Sequence, residues 1–107
     1  METDIVSELA PHPGDFTISK NRYSGFYQTD LHATLEARGV KFLILTGCTT
    51  SVCVESTLRD GMFRGYKCLL LSDCTAEPLG SHEASLRVVE KLFGWVTNSA
   101  ELLAILN

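Results

Sequence analysis

The sequence predicts an α/β fold, a parallel sheet with helices covering both faces. Three observations predict it. Two apolar runs of strand length, VKFLILTG (40–47) and YKCLLLSD (66–73), lack the alternation of a half-exposed strand and suit central strands buried on both sides. A segment with helical spacing follows each run. The links between them are short, and strand–helix alternation with short links favours parallel strands in one sheet. With 107 residues, 45% hydrophobic and 21% charged, the chain is expected to form one small domain over residues 1–107.

The elements follow in order. Residues 1–15 read as a polar lead with a turn at Pro11-His12-Pro13-Gly14. FTISK (16–20) has the composition of a short strand, and NRYSGFYQ (21–28) that of an aromatic-rich loop. TDLHATLEARG (29–39) predicts a helix with Thr29 as N-cap, Leu31 and Leu35 on one face and Gly39 as the stop. After the first apolar strand, residues 51–64 carry Val54, Leu58 and Met62 at helical spacing, and Gly65 ends the helix. The second apolar strand leads to SHEASLRVVEKLFG (81–94), a helix capped by Ser81 with Leu86, Val89 and Phe93 inward. WVT (95–97) is a short strand, and NSAELLAILN is a closing helix whose Asn98 and Glu101 have capping-box spacing.

Composition excludes several function classes. The net charge is -4 and the nine Lys and Arg form no basic run, so nucleic acid is not an expected partner. No segment approaches the ~18 consecutive apolar residues of a membrane span, so no membrane partner is expected. The N-terminus METDIVSELAPHPGD carries acids where a secretory signal needs a basic start, and a cytoplasmic location is expected. Cys48, Cys53, Cys68 and Cys74 form no CxxC pair, and His12, His32 and His82 lie far apart. No metal, zinc site or cofactor is therefore expected, and the thiols are expected to be reduced.

Ligands of parallel α/β sheets bind beyond the carboxyl ends of the strands. Cys48, Cys53, Asp73 and Cys74 fall at such ends, whereas Cys68 lies within a strand and reads as core. Cys53 admits two readings. It is a small buried hydrophobe, or it is a nucleophile in the first turn of a helix, where the macrodipole and unpaired N–H groups favour a thiolate and can hold an oxyanion. Cys53 and Arg59 also have the C-x5-R spacing of cysteine phosphatases. No glycine shapes an anion loop between them, Glu55 would sit where the phosphate should, and six helical residues (~600°) point the two side chains apart. His82 begins a helix and could approach the active edge, though it reads more readily as a cap or surface residue; His12 and His32 read as surface residues. Lys20 is either a solvated strand end or a group that stabilises a thiolate and an anionic intermediate.

ISKNRYSGFYQTDL, LILTGCTTSVCVESTLRDG and LLLSDCTA together resemble the isochorismatase-like cysteine hydrolases, over nearly the whole chain. LAPHPGD, RYSGF, VCVESTLRDG and FGWV look most like the branch acting on ureidoacrylate in pyrimidine breakdown. The resemblance implies a Rossmann-like, three-layer α/β/α fold with a mostly parallel sheet. It implies Cys53 as nucleophile and Lys20 as the lysine of an Asp-Lys-Cys triad. It implies an oxyanion hole from the amides of Thr49 and Cys53, a cis peptide between Cys48 and Thr49, and a loop near the pocket bearing Tyr23, Ser24 and Phe26. The expected substrate is a small amide or ureido compound.

The family's aspartate ends a first strand that nothing in METDIVSELAPHPGD resembles, so the chain reads as the C-terminal portion of such a fold, truncated at its N-terminus. Asp73 is expected to be structural, tying the turn after its strand. A sheet short of its first strands exposes an apolar edge, and a homo-oligomer, or association with a longer relative, is expected.

Overall fold

A computed structural model describes residues 6–107; the first five residues of the expected polar lead lie outside the described residues. The order of elements is α1 (Leu31–Ala37), β1 (Phe42–Cys48), α2 (Glu55–Phe63), β2 (Lys67–Ala76), α3 (His82–Val88), β3 (Trp95–Thr97) and α4 (Ser99–Leu106). The three strands form one parallel sheet in the order β1-β2-β3. This is the parallel α/β arrangement that the apolar runs predict. Among the described residues, no helix is long and apolar enough to cross a membrane.

The turn at Pro11–Gly14 forms as expected. Asp15 N–H donates to the His12 carbonyl at 3.0 Å, and the Asp15 carboxylate accepts from His12 N–H at 2.9 Å. Gly39 (φ +70°) and Gly65 (φ +93°) follow α1 and α2 in the left-handed conformation that stops a helix. The start of α1 differs from expectation. Asp30 holds the N-cap without a side-chain bond, while Thr29 Oγ1 donates back to the Gly25 carbonyl and accepts from Leu31 N–H.

FTISK does not form a strand. A strand needs a neighbour to complete its ladder, and among the described residues β1 pairs only with β2. Phe16 lies instead beneath the Arg38 guanidinium, 4.3 Å from its ring centre.

The core lies between the sheet and α2, α3 and α1. Val54, Leu58, Tyr66, Cys68, Leu70, Val89 and Phe26 are buried, and Leu31, Leu35, Leu86 and Phe93 pack against them. Complete burial of a leucine such as Leu58 or Leu70 contributes roughly 1.5–3 kcal/mol. The Cys68 thiol is part of this core, and burial pushes it up to about 11, the behaviour of an inert thiol.

The opposite face of the sheet departs from expectation. Phe42, Ile44 and Trp95 are 68%, 50% and 58% exposed, and with Leu43 and Leu69 they line an open apolar hollow. The helix that follows β3 does not cover it, since Leu103, Ile105 and Leu106 of α4 are themselves exposed. The runs are apolar on both faces, as central strands require, but helices cover only one of them among the described residues.

β2 extends three residues beyond its expected end at Asp73 and bulges against β1. Between the pairs Leu45↔Leu70 and Gly47↔Thr75, β1 advances two residues (45 to 47) and β2 five (70 to 75). The bulge carries Asp73 out of the ladder to the start of α4, where its carboxylate accepts from Ser99 N–H at 2.9 Å and from the Ser99 hydroxyl. These bonds, that of the hydroxyl above all, hold the Asp73 carboxyl below its usual range. Asp73 is therefore structural, but it anchors α4 rather than the following turn. The Asn98–Glu101 capping pair forms, with Glu101 N–H donating to Asn98 Oδ1 at 2.8 Å.

Candidate active site

The site is built at the carboxyl end of β1. The chain leaves β1 at Cys48, passes through a cis peptide to Thr49, and winds through a wide turn over Thr50–Val54 before α2 begins. The expected helix over 51–64 thus opens with i→i+5 bonding. The Thr49 carbonyl accepts from Val52 and Val54, on either side of Cys53, and Glu55 N–H reaches back to the Thr50 carbonyl. Val54 and Thr50 are buried and hold the turn against the core, leaving Cys53 half-buried above it.

Lys20 approaches Cys53 from the irregular segment that replaces the expected strand. Its Nζ donates to the Arg22 carbonyl at 2.8 Å and the Tyr23 carbonyl at 3.2 Å, and it stands 3.9 Å from Cys53 Sγ. Two loop carbonyls thus aim the ammonium at the thiol. Lys20 and Cys53 share a cleft with Ile44, Leu45, Thr46, Cys48, Val54 and Thr57.

The three loop residues named with them divide, Phe26 and Ser24 in the core and Tyr23 beside Lys20. Phe26 is buried, stacked on Tyr66 with ring centres 5.8 Å apart. Ser24 is buried, and its Oγ accepts from Phe26 N–H at 3.1 Å. Tyr23 is exposed and lines a hollow shared with Lys20, Asn21 and Arg22, and its carbonyl accepts from Lys20 Nζ. None of the three lines the Lys20–Cys53 cleft; the aromatic ring of Phe26 is drawn into the core by its apolar area.

Four connections were not read from the sequence. Thr57, one turn after Cys53, donates to the Cys53 carbonyl at 2.7 Å and accepts from Gly25 N–H at 2.9 Å, so it fastens the RYSGF loop to α2. Its i+4 spacing from Cys53 is the signal that would have found it. Glu77 bonds Ser51 N–H at 2.8 Å and Ser81 N–H at 3.0 Å, so Ser81 donates to a carboxylate rather than capping its helix with its own side chain. His82 shares a 2.9 Å hydrogen bond with Thr50 Oγ1, which is neither a cap nor a surface role. His32 likewise is no simple surface residue, since its Nδ1 lies 2.9 Å from the Tyr66 hydroxyl.

Arg59 is engaged away from Cys53. Its Nη2 pairs with Glu55 Oε2 at 2.6 Å and its guanidinium lies 4.2 Å from the centre of the Phe93 ring. The other Glu55 oxygen accepts from Ser85 Oγ. A C-x5-R anion cradle is not formed, because the guanidinium is paired through Nη2 with a carboxylate within α2 and lies on the Phe93 ring.

The family model for the isochorismatase domain matches residues 1–101. A ureidoacrylate amidohydrolase, RutB, of Methylobacterium radiotolerans is 52% identical over 98 residues, covering 90% of this chain and 38% of the relative. The chain spans about two fifths of the length of such relatives, 38% to 43%. An isochorismatase-like hydrolase from Alkaliphilus metalliredigens superposes with a TM-score of 0.91 at 34% identity, covering 97% of this chain and 58% of that one. N-carbamoylsarcosine amidase from Thermoplasma acidophilum gives a TM-score of 0.81 at 28% identity, with 90% and 55% covered. With a parallel sheet, a strand-end thiol and a family match over almost its whole length, the chain belongs to the isochorismatase family of hydrolases.

Proposed function

We propose that this chain carries the nucleophilic half of a cysteine amidohydrolase acting on a small amide or ureido compound of the ureidoacrylate type. The observation that carries the reading is the 3.9 Å approach of Lys20 Nζ to Cys53 Sγ at the carboxyl end of β1. The names of the relatives support the substrate class.

In this mechanism the Cys53 thiolate attacks the carbonyl carbon, and the oxyanion is held by the N–H groups of Thr49 and Cys53. Lys20 stabilises the negative charge. Collapse breaks the C–N bond, the amine leaves with a proton, and a thioester remains on Cys53. Water then attacks the thioester, releasing the acid and restoring the thiol. Metal and cofactor have no part in these steps. Such an activity would serve pyrimidine breakdown in the cytoplasm.

The proton delivered to the amine needs a donor. The cleft lined by Lys20, Cys53 and Thr57 holds no carboxylate among the described residues, and Asp73 is bonded to Ser99. Lack of a general acid–base typically costs 10²–10⁴-fold, so turnover by the isolated chain is expected to be slow. Ammonia release from ureidoacrylate and a panel of primary amides, measured beside Cys53→Ala, tests the reading. Release that depends on Cys53 is expected; release equal to that of the alanine variant, from folded protein, sinks it.

The exposed Phe42, Ile44 and Trp95 favour a second reading, a catalytically impaired chain that associates with itself or with a longer relative. Contiguous exposed apolar surface of this kind marks an interaction site. Sedimentation is expected to show a homo-oligomer that Ile44→Lys disperses. A wild-type chain that sediments as a monomer at every concentration rejects self-association.

A further inference from the structure

We propose that Glu77 is the positioning residue of the nucleophile turn, clamping the backbone that bears Cys53 to the start of α3. The proposal rests on the amidohydrolase reading for its consequence in turnover, but its geometry stands independently. One carboxylate oxygen accepts from Ser51 N–H at 2.8 Å, the other from Ser81 N–H at 3.0 Å. A single side chain thus bridges the first residues of the Cys53 turn and the residue preceding α3. Beside it, buried Thr50 is bonded to His82 of α3 at 2.9 Å. One turn later Glu55 of α2 accepts from Ser85 of α3. Three ties therefore fasten the nucleophile segment to α3, and Glu77 makes the one that holds a backbone amide of the Cys53 turn.

The electrostatics make the role of Glu77 separable from that of a charge stabiliser. A carboxylate at the amino end of a helical segment is favoured by the dipole, but it also lowers the positive potential available to a thiolate in that turn. The bonds from Ser51, aided by Ser81 and the neighbouring His82, hold the Glu77 carboxyl below its usual range, with partial desolvation opposing. Glu77 is thus an anion bonded to the turn that bears Cys53. What it contributes to Cys53 is placement: with Ser51 N–H fixed, the amides of Thr49 and Cys53 are fixed relative to the cleft. Misplacement of reacting groups by ~1 Å costs as much as 10²-fold.

The test is the rate at which iodoacetamide alkylates Cys53 at pH 7, read by peptide fragmentation so that Cys48 is distinguished. Glu77→Ala is expected to slow it about tenfold and to lower kcat by about 10- to 100-fold with little change in KM. Glu77→Gln keeps an acceptor for Ser51 N–H and is expected to stay within about fivefold of wild type, the equivalent of one hydrogen bond. A simple loss of charge would speed alkylation. An unchanged or faster rate in Glu77→Ala therefore overturns the proposal. If that variant does not fold, Glu77→Asp decides, since it keeps the charge but withdraws the carboxylate from both amides: slower alkylation supports the clamp and an unchanged rate rejects it. Alkylation needs no turnover, so a wild-type chain that hydrolyses nothing defeats the amidohydrolase reading while this comparison still decides the clamp.

Discussion

Lys20→Met is expected to lower kcat on a ureido substrate by about 10²–10⁴-fold, the range for loss of a group acting in the transition state, and to slow alkylation of Cys53. The methionine keeps the length of the side chain and removes its charge. Three contacts are lost together: those to the Arg22 and Tyr23 carbonyls at 2.8 and 3.2 Å and that to Cys53 Sγ at 3.9 Å. Lys20 is exposed, so the loss to stability is small, about 1 kcal/mol for its neutral-acceptor bonds. Lys20→Arg is expected to fail as well, because a planar guanidinium cannot replace a compact ammonium directed at two carbonyls and a thiol at once. Thermal unfolding beside the kinetics separates the outcomes. A fall in kcat with a nearly constant melting temperature supports the assigned role. Full activity in Lys20→Met removes Lys20 from the mechanism, and leaves Cys53 without the cation that the cleft provides.

The second large effect concerns the fold rather than the chemistry. Gly94→Ala is expected to destabilise the chain by about 3 kcal/mol or more, at or beyond the upper end of ordinary overpacking. An added Cβ would overlap the Cys68 carbonyl oxygen, and that oxygen belongs to the buried backbone of β2. The backbone of Gly94 is extended (φ -179°), so the penalty comes from contact and not from a left-handed conformation. Relief would require β3 to move away from β2, against the register Leu69↔Trp95, Leu70↔Val96 and Leu71↔Thr97. Gly61→Ala is the natural comparison. Its added Cβ would meet the ends of side chains, Leu43 at 3.1 Å and Cys68 Sγ at 3.3 Å, which can shift, and a smaller loss is expected. Denaturant unfolding decides: a lower midpoint at constant slope reports lost stability. A Gly94→Ala variant as stable as wild type would show that the β2–β3 approach is looser than its distances imply.

Much of this architecture was legible in the chain itself. Apolar runs without alternation marked β1 and β2 as strands of a parallel sheet, although burial on both faces is not met among the described residues. Leu58 and Val89 declared their inward faces through helical spacing, and both are fully buried. Asn98 and Glu101 announced the start of α4 by a local bond that depends on three residues of spacing and on nothing distant. The motif around Cys53 pointed to a thiol at a strand-to-helix junction, which is where the chain puts it.

What the tertiary structure decided are the contacts between segments far apart in sequence. FTISK had the composition of a strand but no neighbour to pair with, so Lys20 reaches Cys53, thirty-three residues away, from an irregular segment. Phe26 could have faced a pocket or a core, and the aromatic surface of Tyr66, forty residues on, drew it inward. Glu77 and His82 carried no motif; their roles exist only because β2 bulges and returns α3 to the Cys53 turn. Local spacing encodes periodicity and capping because those interactions close within a turn or two of chain. Which polar group meets which across the fold depends on how the strands register and which faces are left to cover, and periodicity does not carry that information.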